Sequence, residues 1–568
     1  MKIKKILLLQ LLLTIAVTVG FVGCSKGGSK GGSKATGWKI NDPNGGFQYN
    51  TKFKKQETPP GMVPVEGGTF TMGKVQDDVM HDWNNSPNQQ HVQSFFMDET
   101  EVTNMMYTEY LFWVKTVFPP TEENYKNIYW GAIPDTLVWR NRLGYNETMV
   151  NNYLRHPAYA EYPVVGVTWV QAVEFSKWRT DRVNENILER EGYLKKDAKI
   201  TDVTAESSFS TETYINKPSQ TFGGNEEVVL KKANGRRPAQ NAQGGTEEKN
   251  VYATRGSGII LPEYRLPTES EWEYAAVALP GNREYNLYKG QKKYPWKGQY
   301  TRSSKRQYRG DQLANFKQGK GDYGGIAGWS DDNADITNKV KSYPPNDFGL
   351  YDMAGNVAEW VSDVYRPMVD DEANDFNYYR GNVYMKNEIG EDGTAKLVTS
   401  SDIKYDTLSN GRIMARNFPG QIAQVPVDEN ETYLRTQFST SDNRNYRDGD
   451  RQSTRYYKFG SSEEETDGEA KAEDPKRMYN APVHSISADS LGDVVKRFDK
   501  SAERTTLVDD NVRIYKGGSW RDRAYWLDPA NRRFFPQDMA TDYIGFRCAM
   551  SKVGPKSSKK STRGAPKK

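Results

Sequence analysis

The sequence has few of the side chains that carry out most metal-dependent and nucleophilic catalysis. Its 568 residues contain two cysteines, Cys24 and Cys548, and four histidines. Two cysteines cannot build a disulfide framework, and modification of Cys24 would leave Cys548 without a partner. His81 and His91 are close in sequence but stand in a polar loop, where solvation or packing is a commoner role than metal ligation. No phosphate-binding loop, zinc-protease motif or GxSxG hydrolase motif is present.

The chain also lacks a strong charge imbalance. Its 78 Lys and Arg residues and 74 Asp and Glu residues leave a net charge of +4, which is too small to indicate nucleic-acid binding by itself. A basic block closes the chain, and we assign residues 553–568 as a basic tail. It is either a solvated terminus or a docking tail for an acidic partner or an anionic surface. The aromatic fraction of 12% predicts a folded core rather than a disordered chain.

The long apolar run of the sequence lies at its N-terminus. Three early lysines precede the apolar segment Ile6–Val22, which is typical of a secretory signal. The end of this segment, Phe21-Val22-Gly23-Cys24, resembles a bacterial lipobox, although Phe21 stands where leucine is usual. We therefore predict a lipoprotein signal peptide over residues 1–23 and lipidation, including palmitate, at Cys24. The alternative is an ordinary signal peptide or a single membrane anchor.

A short Gly/Ser/Lys repeat follows the predicted lipidation site. Because such sequence behaves as flexible coil, residues 24–58 are predicted to tether the lipid to the folded domain. Two or three acyl chains anchor a protein stably, whereas one is marginal. Ser25 rather than aspartate follows Cys24, which resembles lipoproteins delivered to the outer membrane, and no acidic surface-export cluster is present. We expect the periplasmic face of the outer membrane.

Six strings in the folded part carry local structure signals. The first gives an opening strand pair broken by glycines, the second and third give helices with Thr103 and Thr168 as N-caps, and the fourth gives a helix with a Thr268–Glu271 capping box. Apolar residues at helical spacing predict the core-facing side of two of these helices: Tyr107, Tyr110, Leu111 and Val114 in the second string, and Trp272, Ala275 and Ala276 in the fourth. The third is predicted to begin with a strand and to end its helix at Arg182. These strings, with the fifth and sixth, are Met62–Gly73, Phe95–Val114, Pro163–Arg182, Tyr264–Ala276, Tyr343–Asp363, and Tyr515–Trp520 with Ile544–Met550.

These six strings, in this order, resemble the formylglycine-generating (sulfatase-modifying) enzyme family. The resemblance covers residues 59–552 and implies an α+β, loop-rich fold related to C-type lectins. Two insertions interrupt it, at about residues 183–263 and 366–511. Since glycines, tryptophans and cap residues serve turns and packing, the strings predict a fold and say little about activity.

The active members of this family carry two cysteines just after a GGS-aromatic turn, and the cysteines hold copper. In the run Gly517–Asp528 the matching positions are Asp522 and Leu527. A carboxylate and an aliphatic side chain cannot replace two thiolates as ligands of Cu(I). We therefore predict no copper, no catalytic residue and no enzyme activity. Two alternatives stay open: an oxidase with altered metal ligands, and a lectin-like binder of glycan or peptidoglycan, which the tryptophans suggest.

The second insertion contains an Arg/Tyr-rich run, Asp442–Tyr457, and an acidic run, Ser461–Lys476. Arginine and tyrosine are common in protein interfaces, although an internally salt-bridged insertion is the alternative. Lipobox, tether, large insertions and basic tail together resemble the gliding-motility lipoproteins of Bacteroidetes, as does the segment Thr36–Asn50. That resemblance implies a scaffold for gliding motility and type IX secretion. Its partners would be other subunits of that machinery, with peptidoglycan as a further expected contact.

The family also holds two structural calcium ions with oxygen ligands, which this cation prefers. Motif by motif, the first site falls on the side chains of Asn315 and Asp332 and the carbonyl oxygens of Phe316 and Ala334. Because the loop length between them varies, Asp331 is an alternative to Asp332.

The second calcium site implied by the resemblance uses the side chains of Asp352 and Glu359 and the backbone oxygens of Gly355 and Val357. Asp352 stands where an amide is often found, which adds charge. Ala358 replaces a usual tryptophan, so the local packing differs. The alternative is that Asp352 and Glu359 cap turns and pair with arginine.

Overall fold

The structure is a computed structural model that describes the folded part of the chain with gaps. The described residues are 32–42, 47, 56–74, 78–80, 84–140, 145–195, 204–230, 252–283, 292–319, 332, 334–365, 385–407, 411–426, 483–488, 494–499 and 511–554. The predicted signal peptide, Cys24, His81, Asp331, the Arg/Tyr-rich and acidic runs and residues 555–568 lie outside them. Over the described ranges, no helix has the length and apolarity needed to cross a bilayer.

Six helices and sixteen strands form along the described ranges. The helices are α1 Asn104–Val117, α2 Lys126–Ala132, α3 Glu147–Asn152, α4 Trp169–Arg190, α5 Thr211–Asn216 and α6 Glu269–Arg283. The strands are β1 Met62–Val65, β2 Gly68–Met72, β3 Asn88–Val92, β4 Phe95–Asp98, β5 Tyr264–Arg265, β6 Ala358–Val364, β7 Met385–Asn387, β8 Tyr405–Thr407, β9 Ile413–Ala415, β10 Gln424–Pro426, β11 Val483–Ala488, β12 Val494–Asp499, β13 Val512–Lys516, β14 Arg533–Pro536, β15 Ile544–Phe546 and β16 Ala549–Ser551.

Two four-stranded sheets form the centre, in the orders β1-β4-β16-β5 and β14-β13-β6-β15. Strand β15 runs parallel to β6, and the other pairs in these sheets are antiparallel. Strands β13, β15 and β16, near the end of the chain, therefore pair with strands about 150 to 450 residues earlier, for example Arg513 with Val364 and Ala549 with Met97. Four further pairs of strands, β2-β3, β7-β10, β8-β9 and β11-β12, form separate two-stranded ribbons.

The predicted caps begin the helices that cover these sheets. Thr103 accepts from the amide of Met106 at 3.3 Å, and Thr168 makes a capping box with Gln171. The Thr268–Glu271 box is also confirmed, by hydrogen bonds of 2.9 and 3.1 Å. These bonds satisfy amide groups that have no partner inside the helix.

The faces predicted to be apolar are buried. Tyr107 of α1 is fully buried and stacks on Phe175 of α4, with ring centroids 5.6 Å apart. Trp272 of α6 is also fully buried. The helical spacing of apolar residues therefore identified the core-facing sides of α1 and α6.

Three local predictions were wrong in detail. Strands β1 and β2 do not pair with each other, because β1 joins β4 and β2 joins β3. The strand predicted before α4 is an extended segment with one bridge, between Pro163 and Thr103. Helix α4 continues past Arg182 to Arg190, because Ile187 and Leu188 are buried and extend its apolar face.

Among the described residues, 32–42, 47 and 254–258 belong to a second compact unit. Its described part includes a tight turn in which the Ser33 amide donates to the Trp38 carbonyl at 2.7 Å. Residues 254–258 form a 3₁₀ turn that ends at Gly258 in the left-handed conformation.

Candidate functional site

Three segments that the sequence singled out meet in the structure. The Asn356 amide donates to the Asn315 carbonyl at 2.9 Å, and the Trp520 amide donates to the Asn356 carbonyl at 2.8 Å. A Cβ atom on Gly355 would lie 2.4 Å from the Asn315 carbonyl oxygen, so this contact requires glycine. Both predicted calcium sites and the GGSW turn therefore belong to one continuous region.

The first position of the family's cysteine pair is occupied by an ion pair. The two carboxylate oxygens of Asp522 accept from the two terminal nitrogens of Arg533 at 2.6 and 2.7 Å. The Ser519 hydroxyl donates to the same carboxylate at 2.6 Å. This two-point geometry fixes both side chains, so Asp522 holds the turn together.

The second position is part of the apolar core. Leu527 is 0% exposed and packs in a cluster with Phe316 and Ala354. The chain between Gly518 and Trp526 folds back closely on itself, because a Cβ on Gly518 would lie 2.8 Å from the Trp526 carbonyl oxygen. Neither position offers a soft metal ligand.

A buried charge cluster lies beside this region. Arg547 donates to both oxygens of Glu359 at 2.6 Å, and the Trp272 indole donates to Glu359 at 2.7 Å. Both partners of the ion pair are at most 1% exposed. Glu359 thus makes the arginine contact that the alternative interpretation of the second site predicted.

Asp352 and Glu101 are two further carboxyl groups of this cluster. The Lys341 amide donates to one oxygen of Asp352 at 3.0 Å, while the other oxygen, Oδ1, is buried and has no partner. Burial raises the pKa of Glu101 well above its ordinary value, and the nearby charges of Asp352 and Glu359 raise it further. Three carboxylates therefore surround one guanidinium.

Glu101 was missed in the sequence. It follows β4 in the run Asp98–Thr103 and is fully buried, where its carboxylate accepts from the Asn356 amide group at 3.0 Å and the Val357 backbone at 3.3 Å. A single glutamate in a polar run gives no local sign of burial. Its hydrogen-bond partners lie about 250 positions away in the sequence, so local patterns could not identify Glu101 as a buried residue.

The residues of the first predicted calcium site also lie together. The Asp332 carboxylate accepts from the amides of Phe316 and Ala334, both at 3.2 Å. Asn315 donates through its side chain to the Ile336 carbonyl at 2.7 Å. Burial raises the pKa of Asp332. These contacts are those of a capped turn.

The donor chemistry of the second site fits a hard cation in part. Asp352 Oδ1 is an orphaned buried oxygen, and such groups are costly without a partner. The cluster has excess negative charge, and its donors are all oxygens, the class that calcium prefers. Glu359 fits less well because both of its oxygens already accept hydrogen bonds. Among the described residues, no group of three His, Cys, Asp or Glu side chains is arranged to hold a metal.

A second buried charge network lies at the start of α6. Lys516 donates to Glu269 at 3.3 Å and to Glu273 at 2.8 Å, and Arg532 donates to Glu269 at 2.7 Å. Asp363 accepts from the Glu269 backbone amide at 2.6 Å. Burial, with the charge of Glu269, raises the pKa of Asp363 to about 7.

The remaining candidates have structural roles. Cys548 is buried, 3.4 Å from the Ser176 hydroxyl, and burial raises the pKa of its thiol to about 12. His156 accepts from the Ala158 amide at 3.1 Å as the cap of a short 3₁₀ turn. Trp272 and Trp360 are fully buried and therefore cannot serve as stacking platforms for a glycan.

Comparison with known proteins identifies the relatives of this chain. Residues 48–403, more than half of the chain, match the Sulfatase-modifying factor enzyme 1-like domain. The mouse (Mus musculus) formylglycine-generating enzyme is 25% identical over 303 residues, 53% of this chain and 58% of that protein. The mouse inactive C-alpha-formylglycine-generating enzyme 2 is 36% identical over 108 residues, 19% of this chain and 28% of that protein. This chain thus spans less than two thirds of either relative.

A solved structure, PvdO from Pseudomonas aeruginosa, also aligns with this chain. The alignment covers 89% of this chain and all of PvdO, at 14% identity and a TM-score of 0.35.

Proposed function

The chain belongs to the sulfatase-modifying factor enzyme 1-like family, and from that membership we propose that it is a non-catalytic member acting as a lipid-anchored scaffold. The scaffold would sit at the periplasmic face of the outer membrane and support gliding motility and type IX secretion, as the resemblance to GldJ and, second, GldK implies. The proposal has two parts, the absence of oxidase chemistry and the presence of partner-binding surface.

The site of the missing cysteine pair carries the first part. Asp522 is committed to Arg533 at 2.6 and 2.7 Å, and Leu527 is 0% exposed in an apolar cluster. Opening this site to bind a metal would break the ion pair and expose the leucine. A family that includes a mouse protein named as inactive is compatible with this role.

The packing of the insertions supports the second part. Residues 204–230, 385–407 and 411–426 together form what we call the insertion lobe. The first segment contacts the other two: the Thr213 hydroxyl donates to the Gly420 carbonyl at 2.7 Å, and the Ser400 hydroxyl donates to Glu206 at 2.9 Å. Phe418 packs on Phe118, the residue that follows α1, with ring centroids 5.4 Å apart.

The insertion lobe presents apolar side chains at its surface. Ile389 is 61% exposed and Met385 is 49% exposed. Because the lobe is packed on the family core, these groups are held in place, which lowers the ordering cost of binding a partner. A fixed surface of this kind suits a scaffold.

Calcium is part of the proposal as a structural ion. Asp352 would supply the second site with its orphaned oxygen, together with the carbonyl oxygens of Gly355 and Val357, and Glu359 would balance Arg547 beside it. The first site would use Asn315 and Asp332 with the carbonyls of Phe316 and Ala334. When bound, calcium would neutralise excess buried negative charge and stabilise the folded state.

Metal analysis of the purified, detergent-solubilised protein tests the non-catalytic part. We expect no stoichiometric copper or iron, including after incubation with Cu(I). Stoichiometric copper or iron would favour an oxidase with altered ligands and overturn the proposal. Retention on cell-wall glycan in the absence of partner proteins would instead favour a lectin-like or peptidoglycan-binding role.

A further inference from the structure

A strongly basic loop separates α6 from the first predicted calcium site. The basic loop, residues 297–313, contains five cations and one acid, Asp311. The cations are Lys297, Arg302, Lys305, Arg306 and Arg309, and all five are exposed. Two exposed tyrosines accompany them, Tyr300 at 81% and Tyr308 at 53% exposure.

The base of the basic loop is fixed by backbone hydrogen bonds. The Ser303 amide donates to the Asp311 carbonyl at 2.8 Å, and the Leu313 amide donates to the Thr301 carbonyl at 2.9 Å. Ser303 is 9% exposed, so the base is anchored in the protein. The loop leads directly into Ala314, which is 1% exposed.

The tip of the basic loop is also held in one shape. Arg306–Tyr308 form a 3₁₀ turn, and the Gly310 amide donates to the Ser303 carbonyl at 3.0 Å. The Arg302 guanidinium donates to the Gly310 carbonyl at 2.7 Å. The backbone that carries the cations of the tip therefore has one defined shape.

Four of these cations have no acidic partner in the described part of the chain. No ion pair there involves Lys297, Lys305, Arg306 or Arg309. Repulsion between like charges that are clustered on one loop opposes folding. Because these side chains are exposed, they also contribute no packing to the core. The arrangement is therefore unfavourable for folding alone and favourable for attracting an anion.

We propose that the basic loop is a docking surface for an acidic segment of a partner protein. The planar guanidinium groups match the geometry of carboxylates, and arginine with tyrosine is the combination enriched where protein interfaces hold most of their binding energy. Since the loop is already ordered, binding would not have to order it. The inference draws its biological meaning from the proposed scaffold role, but it is tested on the isolated protein.

The test measures binding of a fluorescent peptide of alternating glutamate and glycine to the full-length, detergent-solubilised protein by anisotropy. The Lys305→Ser, Arg309→Ser double variant removes two exposed cations that make no side-chain contact in the described structure. A Lys115→Ser, Arg155→Ser variant, with both changes at exposed positions outside the loop, is the charge-matched control. Thermal unfolding of each variant shows whether the fold is retained, and Arg306→Ser provides a second, single change.

We expect binding that weakens about tenfold in the loop double variant, falls in Arg306→Ser, and is nearly unchanged in the control. The corresponding glutamine–glycine peptide should not bind. Equal losses in the loop and control variants would show general charge attraction and overturn the proposal. Stronger loop-dependent binding to phosphatidylglycerol vesicles or inorganic phosphate than to the peptide would also overturn it, by assigning the loop to phosphate groups.

Absence of peptide binding would refute the docking-surface proposal. It would not affect the scaffold proposal, because other surfaces could bind the partner subunits. Conversely, recovery of the protein without any secretion or motility subunit would refute the scaffold role while leaving loop-dependent peptide binding intact. The two failures are therefore distinguishable.

Discussion

Replacing Asp352 with asparagine should make the protein more stable without calcium and less responsive to calcium. Asp352→Asn retains an oxygen to accept the Lys341 amide, which Asp352 now accepts at 3.0 Å, but removes one charge beside Glu101 and Glu359. Burial, as the main cause, and repulsion from Glu359 raise the pKa of Asp352 from 3.8 to about 6. One pKa unit corresponds to about 1.4 kcal/mol.

The shift sets the scale of the effect. A carboxyl whose pKa is raised by folding destabilises the native state once pH exceeds its ordinary pKa, and the loss is complete above the folded value. Near neutral pH and in excess chelator, removal of this unfavourable buried charge should therefore make Asp352→Asn more stable than the wild type by up to about 3 kcal/mol. With calcium at about 100 times its Kd, the wild type should gain about 2.7 kcal/mol, and the variant should gain less, because its neutral amide oxygen is a weaker ligand than a carboxylate.

Urea unfolding followed by tryptophan fluorescence, in excess chelator and in excess calcium, measures both differences. Asp347→Asn, at an exposed position in the same segment, is the control and should behave as the wild type. Glu359→Ala also probes the site, but it leaves Arg547 without its buried partner and so lowers stability for a second reason. Unchanged wild-type stability on chelation, together with an unchanged response in Glu359→Ala, would refute the second calcium site.

Three further predictions concern buried charge and anchoring. The free energy of unfolding of Asp363→Asn, relative to that of the wild type, should increase by up to about 4 kcal/mol as pH rises from about 4 to about 8. The reason is that the pKa of Asp363 is raised to about 7, so its charged form is unfavourable in the folded protein. Parallel pH profiles of the two unfolding free energies would contradict this. Arg547→Met should cost about 3–5 kcal/mol, since it leaves the buried Glu359 carboxylate unpaired, and a cost below about 1 kcal/mol by urea unfolding would refute the charge cluster. Cys24→Ala should release the protein from the membrane fraction, and a variant that stays bound and functional would refute lipid anchoring.

The fold could be predicted well because its signals are local. The capping box of Thr268 and Glu271 and the apolar face of α1 depend on residues three or four positions apart, and both are confirmed. The α+β family fold is likewise confirmed by the match over residues 48–403. Strand pairing was harder, because β1 and β2 have partners set by the whole sheet rather than by their adjacent sequence.

The candidate site was predictable only where motifs carried it. Asn315, Asp352 and the GGSW turn were identified in the sequence, and the structure brings the segments that contain them together. Glu101 was missed, and arginine pairing of Glu359 was an alternative that did not name Arg547 as the partner, because these contacts join segments about two hundred residues or more apart. A charge partner at that separation leaves no periodic or spacing signal in a single sequence.

The most direct test of the scaffold role is affinity purification of the detergent-solubilised protein from its own cells, followed by mass spectrometry. The proposal predicts recovery of gliding-motility and type IX secretion subunits with the wild-type protein. A variant with Ile389→Asp in the exposed surface of the insertion lobe should recover less of them at equal protein level. Recovery of the wild-type protein alone would contradict the scaffold role.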